Sequence, residues 1–317
     1  MNDFNFAYSV AYIRSIENKL LTQNEIENLV SLKSEKEILN VLADKGFDIM
    51  DDEIEQVLSK EYTKTLEDIS KSVSAKALFD ILFLEHDFHN MKVILKAAKQ
   101  NADYDSLLLY PTIIEQDVIK KAIREKNFSD LPEMFSETLK TAYDILFKTG
   151  DSGLSDAIID KACLDFTMQK VIETKNNFLT GLFYLRNTLL NVKIAARCAV
   201  ALKDVSYLEK CLLERTQLDN KALIKASLEG LSGICDFILK RGFKQGAQSL
   251  KSSINEFERY CENEVMRYCD RSKYMNFGIE PIISYVLKKQ YEMKIIKAIF
   301  IMKKSGLSEE YIRQRVV

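Results

Sequence analysis

The sequence predicts an all-α protein, and three observations lead to this prediction. Glycine and proline are scarce, with 10 and 3 residues in a chain of 317, so few tight turns can form. No window shows a sustained alternation of apolar and polar residues, which half-buried strands would require. Long stretches with the apolar spacing of amphipathic helices dominate the chain instead.

Three of these helical stretches align without gaps at a fixed offset of 101 residues. They are LFDILFLEHDFHNMKVILKAAKQ (78–100), LTGLFYLRNTLLNVKIAARCAVA (179–201) and EPIISYVLKKQYEMKIIKAIFIM (280–302). An aromatic residue occupies the same position in each: Phe83, Tyr184 and Tyr285. Two polar positions also coincide, and they hold Asn90, Asn191 and Glu292, then Lys92, Lys193 and Lys294. We predict that these are three copies of one helix.

A further helical segment lies upstream of each copy, at 20–42, 107–123 and 218–239. Three such units predict three similar helical domains, at residues 1–104, 105–205 and 206–317. A repeat of about 100 residues in three copies favours closure into a pseudo-threefold assembly over an extended solenoid, whose units are shorter.

Both histidines of the chain lie in the first copy, in the stretch EHDFHN. His86 and His89 are three residues apart, so on a helix the two imidazoles could share a metal ion. The other copies carry Asn187 and Lys288 in place of the first histidine, and Leu190 and Tyr291 in place of the second. We therefore expect a structural pair and no metal. A metalloenzyme site at 85–89 is the distant alternative.

One string invites a catalytic interpretation. TGDSGLS (149–155) contains GDSG, which surrounds the nucleophile of chymotrypsin-like proteases, but that mechanism needs a histidine base on a β-barrel. We expect Gly150 and Gly153 to close one helix and Ser155 to open the next. P-loop, GxGxxG, HExxH, GxSxG and EF-hand patterns are absent from the sequence. The sequence thus predicts no catalytic residue, no cofactor and no metal ligand.

The charge distribution limits the class of partner. The formal net charge is −2, which argues against nucleic acid as the main partner, because phosphate binding needs a basic footprint. Residues 25–68 hold 13 acidic and 5 basic side chains, and residues 270–317 hold 5 acidic and 10 basic. This bias indicates solvated faces, or a protein oriented between two differently charged partners.

The sequence also predicts a cytoplasmic protein that does not cross a membrane. Its longest uncharged runs reach 9 and 10 residues, whereas a membrane span needs ~20. The first residues lack the features of a signal peptide. Six cysteines without a CxxC pair indicate reduced thiols: Cys163, Cys198, Cys211, Cys235, Cys261 and Cys269.

Four patches in order along the chain resemble one protein family. They are FAYSVAYIRSIENKLLT (6–22), HDFHNMKVILKAAKQNADYDSLLLYPTI (86–113), YLRNTLLNVKIAARCA (184–199) and residues 277–317. The positions that carry the match are Arg14, Asp87, Asn90, Lys92, Pro111, Asn191, Lys193, Arg197, Glu280, Pro281, Tyr285, Glu292, Lys297, Gly306 and Leu307. Thr188 stands where the family often has Asp. In these patches the chain resembles the C subunit of V/A-type ATP synthases and ATPases, the counterpart of the d subunit of the vacuolar ATPase.

The resemblance implies a helical, funnel-shaped protein of three similar domains without chemistry of its own. Such a protein joins the coiled-coil central shaft of the rotary motor to the membrane rotor ring, on the cytoplasmic side. The resemblance therefore implies a socket for the shaft, and the matched polar residues could line it. They could instead hold helices together inside each domain, which is the role that we favour. A generic all-helical adaptor is the alternative function from another class.

Overall fold

The computed structural model of the chain describes residues 6–49, 53–72 and 76–316, and the regular elements in these ranges are all helical. The α-helices described are α1 (Ala7–Ile16), α2 (Gln23–Ser31), α3 (Glu35–Asp44), α4 (Ile54–Ser72), α5 (Lys76–Gln100), α6 (Gln116–Glu125), α7 (Glu133–Thr149), α8 (Ser152–Glu173), α9 (Asn177–Val200), α10 (Val205–Cys211), α11 (Asn220–Ser227), α12 (Gly230–Lys240), α13 (Lys244–Ser252), α14 (Ile254–Asp270), α15 (Glu280–Lys304) and α16 (Glu309–Val316). The predicted all-α class is confirmed.

The chain forms two compact units. The terminal unit comprises Met1–Ala75 and Glu262–Val317, and the central unit comprises Lys76–Cys261. In the terminal unit, α15 packs against α1, α2, α3, α4 and α16. In the central unit, α5 packs on α6, α7 and α8, and α9 packs on α8, α10, α11 and α12.

The three predicted copies form the helices α5, α9 and α15, which are 25, 24 and 25 residues long. All three end alike. One of the first two residues after each helix has a left-handed backbone, with φ of 52° at Asn101, 51° at Leu202 and 69° at Gly306. The next amides, those of Ala102, Lys203 and Leu307, donate to the carbonyls of Ala97, Cys198 and Met302. This is the Schellman arrangement, which satisfies carbonyls that a helix end leaves unpaired.

Each copied helix contributes to a different apolar cluster. The cluster of α5 extends to buried residues between Leu108 and Cys163. That of α9 extends to residues between Leu208 and Phe257. The cluster of α15 instead takes in residues 26–58. The apolar clusters of the first two copies thus extend to segments that follow them, and that of the third extends to the N-terminal segment. The division into three domains at residues 104 and 205 stays a prediction.

The acidic and basic segments of the sequence both belong to the terminal unit, and they pair with each other. The ion pairs are Lys289–Glu61 at 3.2 Å, Lys297–Glu55 at 3.3 Å and Arg313–Glu27 at 3.0 Å. Part of the charge bias is therefore neutralised inside this unit, which weakens the interpretation that it orients the protein between two partners.

Helix α7 ends at the predicted residue, whereas α8 begins at a different residue from the one predicted. Gly150 has a φ of 77° and closes α7, as predicted. The expectation for Gly153 and Ser155 is wrong, because both lie inside α8 and the side chain of Asp151 caps that helix by accepting the Leu154 amide. The Asp151 carboxylate is the better cap since it reaches this free N–H group.

The hydroxyl of Ser155 is buried, and it donates to the carbonyl of Ala142 at 3.0 Å. The six cysteines are all in the described ranges and are free thiols. Within these ranges, none of the helices is long and apolar enough to cross a membrane.

Candidate functional site: loop clamps on the copied helices

Two of the copied helices each present three polar side chains to a loop of the central unit. The positions match at the offset of 101 residues, and all six side chains are buried: His86, Asp87 and Asn90 on α5, and Asn187, Thr188 and Asn191 on α9. We call each set, with the loop that it holds, a loop clamp. Buried polar groups are stable only when they are hydrogen-bonded, so their partners explain the pattern.

The asparagine of each clamp binds one leucine of the loop through both of its polar atoms. The amide of Asn90 donates to the Leu109 carbonyl at 2.9 Å and accepts from the Leu109 amide at 2.8 Å. Asn191 makes the same two bonds to Leu213, both at 2.9 Å. An asparagine side chain carries both a donor and an acceptor, as a peptide group does, so it satisfies the loop backbone as a neighbouring strand would.

The second clamp position accepts backbone N–H groups. The carboxylate of Asp87 accepts from the amides of Ile113 at 3.1 Å and Ile114 at 2.9 Å. The hydroxyl of Thr188 accepts from the amide of Gln217 at 2.8 Å. A threonine thus performs part of the task of the aspartate. Burial raises the pKa of Asp87 to about 6, against the lowering effect of the two amides.

The third position donates to a carbonyl two residues beyond the clamped leucine. Nδ1 of His86 lies 2.8 Å from the Pro111 carbonyl, and the amide of Asn187 donates to the Arg215 carbonyl at 3.3 Å. A carbonyl oxygen only accepts, so Nδ1 of His86 carries the proton. The imidazole and the amide are therefore equivalent here.

The two histidines bind separate carbonyls. Nε2 of His89 lies 3.1 Å from the Leu107 carbonyl, at the start of the loop that His86 also holds. Burial lowers the pKa of both imidazoles, which favours their neutral forms. Among the described residues, no group of three or more His, Cys, Asp or Glu side chains could hold a metal ion. Each ring thus has a structural partner.

The third copy holds its loop with charges. On α15, Glu292 stands at the asparagine position and accepts from the Leu21 amide at 2.9 Å. Lys289 stands at the position of Asp87 and lies 2.9 Å from Glu292 and 3.2 Å from Glu61. Both Lys289 and Glu292 are buried in the terminal unit. A carboxylate only accepts hydrogen bonds, so Glu292 cannot also donate to the Leu21 carbonyl as an asparagine would. Its buried negative charge is neutralised by Lys289.

Burial raises the pKa of Glu292, whereas Lys289 and the Leu21 amide lower it. The amine of Lys289 also lies 4.9 Å from the centre of the Phe47 ring, within the range of a cation–π contact. The third clamp is thus an ionic cluster with several partners.

The three matched lysines do not share one role. Lys92 donates to Asp160 of α8 at 2.6 Å, and Lys294 pairs with Glu262 of α14. Lys193 is partly exposed on α9. All three lysines are partly or fully exposed, and exposed ion pairs contribute little to stability. The geometry therefore favours the structural role for the matched asparagines, and whether any matched position lines a socket stays a prediction.

Sequence comparison at one offset missed the loops that the clamps hold. A short helix precedes each clamped segment, at Glu17–Lys19, Asp105–Leu107 and Val205–Cys211. The leucine directly after each helix is extended: φ and ψ are −61° and 144° at Leu20, −77° and 141° at Leu108, and −71° and 136° at Leu212. A second leucine, the clamped one, comes next in all three. The Leu–Leu pairs at 20–21, 108–109 and 212–213 were the available signal, but their spacing is not 101.

Comparisons with known proteins identify the family of the chain. The sequence model of the family described as ATP synthase (C/AC39) subunit matches residues 9–315. The chain is 20% identical to the C subunit of the V-type sodium ATPase of Enterococcus hirae, over 96% of this chain and 95% of that protein. It is also 20% identical to the C subunit of the A-type ATP synthase of Haloquadratum walsbyi, over 93% of this chain and 90% of that protein. Because the family match covers nearly all of the sequence, the chain belongs to the C/AC39 family of V/A-type ATPase subunits.

Proposed function

We propose that the chain is the non-catalytic central-stalk subunit that couples the rotating shaft of a V/A-type ATPase to its membrane rotor ring. The observation that carries the proposal is the family match over residues 9–315. Two relatives of similar length, named as the C subunits of a sodium ATPase and of an ATP synthase, support it. In this role the protein would lie on the cytoplasmic side of the membrane and take part in ion transport.

The physical task of such a protein is torque transfer. A thin coiled-coil shaft has little surface with which to grip a wide ring, so a broad collar is needed to enlarge the contact. Three similar domains around a hole, the arrangement expected from the repeat, would form this collar. The loop clamps support this role because side-chain bonds to loop backbone limit bending within each domain.

The decisive experiment compares the ATPase assembled with and without this chain in membrane vesicles. Without it, we expect ATP hydrolysis by the catalytic head to continue and ion transport to be lost, and adding the purified chain should restore transport. The isolated chain should also bind the purified shaft protein. An isolated chain with no affinity for the shaft at any ionic strength would favour a generic adaptor and would contradict the proposal.

A further inference from the structure

The loop held by the first clamp exposes large apolar side chains. Leu107 is 57% exposed, Tyr110 53% and Ile113 46%. Three such groups lie within seven residues of one loop, and we call this exposed segment the 107–113 surface. Single exposed apolar residues are common, whereas a cluster on one loop indicates a binding site.

The backbone of the 107–113 surface is fixed from beneath. His89, Asn90, His86 and Asp87 bind it at four successive points between Leu107 and Ile114. The hydroxyl of Tyr110 also donates to the side chain of Gln116 at 3.0 Å. Side chains presented on a fixed backbone lose less conformational entropy when they bind a partner.

The second clamp provides an internal control for this surface. Its loop has the same bonding pattern, so Tyr110 corresponds to Glu214 and Ile113 to Gln217. Both counterparts are exposed and polar. The fold of the loop therefore does not require apolar groups at these surface positions, and the first loop carries them for another reason.

The charges around the two loops also differ. Between residues 103 and 120 there are four acidic residues and one lysine, a net charge of −3. All four carboxylates are exposed, and they are Asp103, Asp105, Glu115 and Asp117. Lys120 lies 3.7 Å from both Asp105 and Asp117, so it neutralises part of this charge and the rim stays net acidic. In the matched stretch, 207–224, three acidic and three basic residues cancel. An apolar centre with an acidic rim is complementary to an apolar stripe with basic flanks.

We propose that the 107–113 surface is the docking site for an amphipathic helix of another ATPase subunit, with lysine or arginine on both sides of its apolar stripe. This inference rests on the proposed function, since it assigns a partner-binding surface to the same protein. The acidic rim disfavours an anionic membrane as the occupant, because like charges repel. The matched loop, which lacks both features, would not bind such a helix.

The test measures binding of the full-length chain to the ATPase complex purified without it, shaft included. Leu107→Ser/Ile113→Ser should weaken binding by about tenfold or more, as the loss of interface anchors does. The control Glu214→Ser/Gln217→Ser, on the matched loop, should stay within about twofold. Replacing the four rim carboxylates by amides should weaken binding and reduce its dependence on salt.

Melting temperatures of all variants should remain close to that of the wild type, since the altered side chains are exposed. Equal binding by the Leu107→Ser/Ile113→Ser variant and the wild type would overturn the inference alone. Failure of the wild type itself to bind would instead contradict the proposed function. Two results would show a different occupant of the surface. One is self-association of the wild type, measured by light scattering, that the same variant loses. The other is binding of the wild type to anionic vesicles that the variant loses.

Discussion

The second and third loop clamps hold equivalent leucines by opposite means. Asn191 in the central unit binds Leu213 through a neutral amide that both donates and accepts. Glu292 in the terminal unit accepts from Leu21 through a carboxylate, and buried Lys289 neutralises its charge. The same helix position and the same loop backbone thus accept either chemistry.

The backbone geometry of the loop is therefore the constant feature. The side chains that hold it can differ, provided that they leave no buried polar group unpaired. The two solutions should nevertheless fail differently. Removing a neutral amide leaves unpaired backbone groups, which cost about 1–3 kcal/mol. Removing one member of a buried ion pair leaves an uncompensated charge, which costs about 3–5 kcal/mol.

The largest effect should come from breaking the ionic clamp. Lys289→Met leaves the carboxylate of Glu292 buried without its nearest cation, so the terminal unit should lose about 3–5 kcal/mol of stability. Urea titration followed by circular dichroism measures the loss. Lys294→Met, which alters an exposed pair on the same helix, is the control and should change stability by less than about 1 kcal/mol.

A second substitution tests whether charge is the cause. In Lys289→Met/Glu292→Gln the remaining amide can still accept from Leu21, so much of the lost stability should return. A double variant no more stable than Lys289→Met would show that the packing of the lysine stem matters more than charge pairing.

A smaller loss should follow from breaking the neutral clamp. Asn191→Ala leaves the Leu213 amide without a partner, and we expect the central unit to lose about 1–3 kcal/mol. Thermal melting of the isolated chain measures it, with Lys193→Ala as the matched control on the same helix. Unchanged melting combined with weaker binding to the shaft would show that Asn191 lines the socket.

The first clamp contains titratable groups, so its contribution to stability depends on pH. The folded-state pKa of His86 and His89 is lowered by burial, so the unfolded chain binds protons first and these groups reduce stability as pH falls through about 6.5. Asp87 acts oppositely: its pKa is raised to about 6, so the folded state binds a proton first and acidification through that value favours folding.

Replacing His86 and His89 by the residues of the second copy, Asn and Leu, should remove this destabilising contribution at low pH and also the bond from His89 to the Leu107 carbonyl. We expect His86→Asn/His89→Leu to be slightly less stable than the wild type near about pH 7.5 and to gain relative to it near about pH 5.5. Melting temperatures of both proteins across this range test the prediction. Parallel curves would mean that the imidazoles are not the titrating groups.

The smallest effect concerns the ends of the copied helices. Leu202 has a φ of 51° and is 91% exposed, whereas the left-handed residue after α5 is Asn101 and that after α15 is Gly306. Glycine adopts this conformation without a clash of its side chain, so Leu202→Gly should stabilise the central unit by about 0.5–1 kcal/mol. The reciprocal change Asn101→Leu should destabilise it. A loss of stability in both variants would show that Leu202 makes a favourable contact.

The helical class, the positions of the three copied helices and the family can all be inferred from the sequence. Local periodicity and scarce glycine and proline suffice for the first. The three copied helices are recognised from matched residues such as Tyr184 and Tyr285, because equivalent residues of similar helices keep the same spacing in the sequence. Gly150 was likewise correctly expected to close a helix, since left-handed helix ends favour glycine.

The partners of the matched polar residues depend on tertiary packing. Asn90 and Asn191 bind leucines 19 and 22 residues later in the chain, while Glu292 binds one 271 residues earlier. No local period links such partners, and a fixed offset cannot reveal them. Lys289 is a buried charge because Glu61 and Glu292 lie beside it. The stability of such a charge depends on groups that packing brings from distant parts of the chain.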